Sequence, residues 1–282
     1  MTSDPNKDQR EFWSQAVGPK WVALQADLDF MAIETSQELL RRVALTEGER
    51  VLDVGCGTGD NTLMAAQAVG PKGTVVGLDI SARLLELAEK RANGLSQVQC
   101  ILADAQTARF PGAGFDAVLS RFGLMFFSDP VQAIANIRSS LRPGGRLVFA
   151  TYATVDQNPA ALIPRTVAQS ILGPLPNQAP SRQGQFAFSD IEMVNGILRN
   201  AGFRAPTGQA VSLFQRYRGN AENAAAFIAQ LGPIEGLMKL HNGTPEDFSE
   251  ILQGMSDAFL GFEKGNEVHI PATINFFAAT ND

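Results

Sequence analysis

The chain has 282 residues, 45% of them hydrophobic and 18% charged, with a formal net charge of -6. That length can bury a full core without disulfide or metal staples, and an acidic chain with no run of Lys or Arg argues against a nucleic-acid partner. Cys56 and Cys100 have neither metal-ligand nor disulfide-framework spacing, which points to a reducing cytoplasm; the polar start "MTSDPNKDQR" and the lack of any apolar run of about eighteen residues predict neither a signal peptide nor a membrane span.

From residue 50 onward strand and helix signals alternate. "RVLDVG" is a short apolar strand, followed by a helix from about Asp60 to Val69 that Gly70-Pro71 closes. "TVVGLD" is a second strand; Ser81 caps the next helix, whose Leu84, Leu85, Leu87 and Ala88 form its apolar stripe. "VQCILAD" and "FDAVLS" are the third and fourth strands, Asp129-Pro130 opens a helix that "RPGG" stops, and "RLVFATY" is the fifth strand. Strands separated by helices predict an α/β fold with a doubly wound, mostly parallel sheet. Residues 153–189 are proline-rich with little periodicity and read as a lid insert. Ser189 and Glu192 then read as a capping box for a helix ending near Asn200. Residues 209–217 and 267–280 supply two more strands, seven in all, with two helical segments inserted over about 219–265. In the second, Thr244 and Pro245 start a helix with Phe248, Ile251, Leu252, Met255 and Phe259 on one face.

The stretch "VLDVGCGTGD", residues 51–60, places three glycines between the first strand and the first helix. Such a turn lets a ligand approach the main chain. Dinucleotide loops want Gly-x-Gly-x-x-Gly, whereas the glycines here are Gly55, Gly57 and Gly59, with Asp60 at the place of the third dinucleotide glycine. A carboxylate beside a pyrophosphate would be repulsive.

This loop after "VLDV" resembles the first motif of the class I S-adenosylmethionine-dependent methyltransferases, and the resemblance covers about residues 10–205. The second strand ends in "GLDIS", with Asp79 twenty residues after Gly59; the third ends in "ADAQ", the fourth runs into "SRFGLMFF", and "LRPGGRL" precedes the fifth. The resemblance implies a Rossmann-like methyltransferase fold and S-adenosylmethionine as cofactor, with no metal. It implies that Gly55, Gly57 and Gly59 contact the methionine portion, that Asp53 orients its ammonium directly or through water, and that Asp79 accepts hydrogen bonds from both ribose hydroxyls. Asp104 would face the adenine amino group and the Ala105 N–H a ring nitrogen, with Cys56, Ile80, Ser120 and Trp21 completing the lining. The leading "FWSQAVGPKW" resembles a group of small-molecule enzymes related to the ubiquinone/menaquinone-type methyltransferases, whose first helices fold over the cofactor. Residues 1–45 are then a helical cap, with Trp13 and Trp21 as lid residues, on a single domain spanning 1–282: a cofactor core at 46–152, the lid insert at 153–189, and the rest of the sheet at 190–282.

Arg121 and Tyr152 stand at strand ends expected to face the cofactor, and His241 in the last insert is the candidate base; His269 reads as a strand-face residue. The "SRFG" segment lacks the Asn/Asp-Pro-Pro-aromatic motif of enzymes that methylate amino groups of DNA bases or glutamine side chains. Phe122, Met125, Phe126, Phe127, Phe186, Phe188, Leu237, Met238, Phe248, Met255 and Phe259 supply apolar surface near the places where this superfamily builds acceptor pockets, several of them expected to line such a pocket. The expected function is methyl transfer to O, N or C of a hydrophobic small molecule, such as a secondary metabolite or quinone-like compound. Three alternatives stay open: a pericyclase or cyclase using the sulfonium only electrostatically, a nicotinamide oxidoreductase, and a non-enzymatic partner-binding domain. The sequence specifies no oligomeric state.

Overall fold

The computed structural model describes residues 5–110, 114–174 and 183–282; residues 175–182 of the expected lid lie outside them. The chain opens with α1 (Lys7–Glu11), a π-turn at Phe12–Ala16, α2 (Gly18–Ala23), α3 (Gln25–Met31) and α4 (Ile33–Val43). Strand and helix then alternate through β1 (Arg50–Val54), α5 (Asp60–Val69), β2 (Thr74–Asp79), α6 (Ala82–Arg91), β3 (Val98–Leu102), β4 (Phe115–Arg121), α7 (Pro130–Ser140) and β5 (Leu141–Tyr152). The apolar runs of β1, β2 and β4 are buried almost end to end, as parallel strands covered on both faces require. Ser81 caps α6 through the Leu84 N–H, and Asp129 caps α7 through the Gln132 N–H.

Beyond β5 come α8 (Pro159–Leu172), α9 (Ile191–Asn200), β6 (Arg204–Arg218), α10 (Ala221–Leu231), α11 (Ile234–His241), α12 (Pro245–Phe259), the two-residue β7 (Glu263–Lys264) and β8 (Glu267–Thr280). The sheet order is β3-β2-β1-β4-β5-β8-β6, with β7 paired to β8. Neighbours from β3 to β5 run parallel, while β8 is antiparallel to β5 and β6. The strand order reverses between β1 and β4, which opens a crevice at their C-terminal ends.

Three expectations need correction. Within the supposed lid insert, Pro159–Leu172 form the helix α8, and Asp190 rather than Ser189 caps α9, accepting from the Met193 N–H at 2.8 Å. Three helices, not two, separate β6 from β8. Both of those strands also exceed the needs of the main sheet. Pairing of β5 with β8 stops at Tyr152 opposite Ile274, but β6 and β8 continue as a two-stranded ribbon from Ser212–Thr273 to Arg218–Glu267. The ribbon, α8 and α10–α12 enclose a second core around Tyr217, Ile251, Met255 and Phe259, separate from the core on the main sheet. Burying that apolar face lets the ribbon stand beyond the sheet edge.

Candidate functional site

A cavity of about 570 Å³ sits over the crevice. Its floor begins at the glycine turn, where Gly55, Gly57 and Gly59 all have left-handed φ (69°, 56° and 91°), a region costly for any residue with a Cβ. The three serve different ends. A Cβ on Gly55 would lie 2.9 Å from the Gly123 Cα, so this glycine lets β1 and the segment after β4 approach. A Cβ on Gly57 would meet nothing within 4 Å; that face opens to the cavity. At Gly59 a Cβ would press on Ala88 of α6 at 3.1 Å, and the described cavity wall does not include it. The missing Cβ of Gly59 thus serves the packing of α6.

Asp79, at the end of β2, and Asp104, just past β3, both face the cavity and are each only 7% exposed. The Asp79 carboxylate accepts the N–H of Gly57 and of Ser81, each at 2.8 Å, and burial pushes its pKa up against those bonds. Asp104 accepts from the Gln106 N–H and from the Asn6 side-chain amide, both at 2.9 Å. Ionised carboxylates have further lone pairs, so both can still accept from a ligand. Cys56, Ile80 and Ala105 lie on the same wall. Burial raises the Cys56 thiol well above its ordinary pKa, which removes it as a nucleophile at neutral pH.

Two expected lining residues sit behind that wall. Asp53 is 1% exposed; it accepts the Thr62 hydroxyl at 2.6 Å, its other oxygen has no partner among the described residues, and burial lifts its pKa to about 7. It is not part of the described cavity wall. Ser120 is fully buried and donates to the Val54 carbonyl at 2.7 Å, pinning β4 to β1.

The N-terminal helices form the opposite wall. Trp13 packs edge-on to Trp21 and to Phe126, with ring centroids 5.7 and 5.2 Å apart, and all three rings line the cavity. Asn6 bonds Asp104, Gln106 and the Ser128 N–H, while Arg91 of α6 holds both Asp29 of α3 (2.7 Å) and the Thr58 carbonyl of the glycine turn (2.8 Å). Sequence reasoning missed Asn6, Asp29 and Arg91 because single polar residues on short helices carry no periodic signal.

At the far end, Arg121 pairs with Asp60 at 2.7 Å and donates to the Ser36 hydroxyl. Tyr152 stacks on Phe122 with centroids 4.2 Å apart, and its phenol is pushed by burial up to about 12. Its hydroxyl meets Gln215, which in turn meets Tyr217. Both partners come from the ribbon and were missed because pairing across 63 residues leaves no trace in local sequence. His241 ends α11 beside Gly173, outside the described wall, with its Nε2 unpartnered among the described residues. His269 pairs with Glu267 at 2.8 Å on the ribbon. Leu237, Met255 and Phe259 belong to the second core, and Phe248 is exposed, so the last insert reaches the cavity only through Ile228, Leu231, Gly232 and Pro233. Among the described residues no cluster of three His, Cys, Asp or Glu could hold a metal, and no helix is long and apolar enough to cross a membrane.

Residues 45–174 match the family model described as a methyltransferase domain. Aklanonic acid methyltransferase DauC of Streptomyces sp. (strain C5) is 41% identical over 104 residues, covering 36% of this chain and 47% of that protein. A demethylmenaquinone methyltransferase of Staphylococcus carnosus (strain TM300) is 36% identical over 112 residues, covering 40% of this chain and 46% of that one. The aligned part thus spans about half the length of these relatives. The solved YcgJ protein from Bacillus subtilis superposes with a TM-score of 0.54 at 15% identity, covering 88% of this chain and 98% of that one, a likeness of fold. The match to the methyltransferase-domain family thus lies in residues 45–174, the stretch that supplies the glycine turn, Asp79 and Asp104.

Proposed function

We propose that the cavity binds S-adenosylmethionine and that the protein transfers its methyl group to an oxygen, nitrogen or carbon of an apolar small molecule. The observation that carries this reading is the bond from the Gly57 N–H to the Asp79 carboxylate. In a dinucleotide site the turn's N–H groups face phosphate oxygens; here a carboxylate already occupies that N–H and would repel a phosphate. A negative rim suits ribose hydroxyls and a sulfonium instead. The residues fit the group at three further points: the open face of Gly57 leaves room for the methionine portion, Asp79 would accept from ribose, and Asp104 would accept from the adenine amino group. Cys56, Ile80, Ala105 and Trp21 would close around the nucleoside.

Bound there, the cofactor would supply an electrophilic methyl group on a positively charged sulfur. The chain's own part is positioning and the exclusion of water. Trp13, Trp21 and Phe126 cover the cavity, and Phe122, Leu231 and Pro233 give its far end an apolar wall for the acceptor. Cys56 and Tyr152 both keep their protons at neutral pH, and no histidine lies on the described wall. The test is incubation with methyl-labelled cofactor and a metabolite extract, followed by mass spectrometry. A product heavier by one labelled methyl is the expected result; cofactor binding with a rearranged product of unchanged mass would establish the cyclase alternative instead.

A further inference from the structure

Three buried polar side chains meet on a cavity wall that they share with apolar residues and with Arg121 and Gln185. Tyr152, Gln215 and Tyr217 are 6%, 8% and 4% exposed, beside Phe122, Ile228 and Leu231. Burying an amide and two phenols is costly unless each is hydrogen-bonded. They satisfy one another in a chain: the Tyr217 hydroxyl donates to Gln215 Oε1 at 3.2 Å, and Gln215 Nε2 donates to the Tyr152 hydroxyl oxygen at 3.0 Å. Tyr217 claims the amide's acceptor end, so the Tyr152 oxygen serves as acceptor and its O–H is left over. The Gln185 side chain also meets the Tyr152 hydroxyl and, like Gln215, lowers the phenol's pKa, as an amide donating to that oxygen does. Stacking on Phe122, itself held at a left-handed φ of 64°, fixes the plane of the ring.

The rest of the cavity sharpens what the free donor faces. Its carboxylates are tied elsewhere, Asp29 to Arg91, Asp79 to the glycine turn and Asp104 to Asn6. The ionisable groups at the Tyr152 end are Arg121, Tyr152 and Tyr217, none of them a base at neutral pH. An acceptor that loses its proton at this end of the cavity would meet no basic side chain there among the described residues.

We infer that the Tyr217–Gln215–Tyr152 chain is the acceptor-recognition element, with the Tyr152 O–H donating to an oxygen that arrives already anionic, a phenolate, enolate or carboxylate on an apolar frame. Gln215 and Tyr217 are positioning residues: they orient the donor without touching the acceptor's charged oxygen. The inference rests on the methyltransferase reading and adds the chemical class of the acceptor. A preoriented, buried donor discriminates strongly between an anion and a neutral molecule of the same shape.

The experiment uses the complex with S-adenosylhomocysteine and two probes of similar shape, 2,4-dinitrophenolate and neutral 2,4-dinitrotoluene. Binding is read by quenching of Trp13 and Trp21, which line the cavity and are the chain's two tryptophans. The wild type is expected to favour the phenolate about tenfold or more, and Tyr152→Phe to abolish that preference while its affinity for the neutral probe changes by less than about twofold. Gln215→Leu and Tyr217→Phe are expected to reduce the preference by about three- to tenfold with Tyr152 still present. The inference is overturned if both probes weaken together in Tyr152→Phe, which would indicate packing alone, if the preference is unchanged, or if the wild type takes up neither probe. Calorimetry with S-adenosylhomocysteine on the same samples separates the two levels. Intact cofactor binding shows that each variant is folded and confines a failure to the acceptor element, whereas a wild type that binds no S-adenosylhomocysteine sinks the methyltransferase reading as well.

Discussion

Gly57→Ala and Gly59→Ala should separate cofactor binding from stability, because the same methyl group enters two different surroundings. At Gly57 the new Cβ meets no protein atom within 4 Å, so the cost to the fold is the left-handed backbone alone, about 1–2 kcal/mol, or a fall in Tm of about 2–8 °C. That methyl, however, projects into the space assigned to the methionine portion. At Gly59 the backbone cost recurs, and the Cβ also presses on the Ala88 Cβ at 3.1 Å and its Cα at 3.3 Å, which adds an overpacking cost of about 1–3 kcal/mol. Its total loss is then about 2–5 kcal/mol, but it leaves the cavity wall untouched. Urea denaturation and calorimetric titration with S-adenosylhomocysteine measure the two effects. Gly59→Ala should be the less stable variant, with a Kd within about threefold of wild type; Gly57→Ala should be the more stable, with a Kd raised at least about tenfold. Equal losses of affinity in both variants, or full affinity in Gly57→Ala, would refute the separate roles given to these glycines.

Asp79→Ala should weaken S-adenosylhomocysteine binding by about 2–3 kcal/mol through loss of charge-assisted bonds to the ribose and of the anchor on the Gly57 N–H, and an unchanged Kd in the folded variant would count against the site. Asp53 should make the fold pH-sensitive: its folded-state pKa of about 7 lies above the unfolded value, so between pH ~4 and ~7 the native state binds the proton more tightly. Stability from this group is present at low pH and lost as pH rises through about 7, by up to about 4 kcal/mol. Asp53→Asn should remove that decline, and urea midpoints for both proteins at pH 4.5 and 7.5 that fall in parallel would exclude Asp53 as its source.

The part of the fold legible in the sequence is the part built from local signals. Asp60–Val69, Thr74–Asp79 and Glu267–Thr280 have the bounds their apolar runs and stop signals predict, and Thr244 caps α12 with its partner Asp247. Side-chain direction within β1 was not legible. Leu52, Asp53 and Val54 are all buried, and a strand covered on both faces shows no alternation from which to learn that Asp53 turns away from the cavity. The spacing of Gly55, Gly57 and Gly59 fixes the turn but not what each missing Cβ would strike; Ala88, which decides the case of Gly59, lies 29 residues away on α6. The ribbon of β6 and β8 and the second core on it arise from pairings between distant segments. For the same reason the apolar face of α12 looked like cavity lining when read alone.

The central claim is that a carboxylate on the Gly57 N–H turns this crevice from a phosphate site into a site for a phosphate-free nucleoside sulfonium. Parallel calorimetric titrations with S-adenosylhomocysteine and with NAD test it most directly. The account expects saturable one-to-one binding of S-adenosylhomocysteine and no heat beyond dilution from NAD; binding of NAD with none of S-adenosylhomocysteine would contradict it.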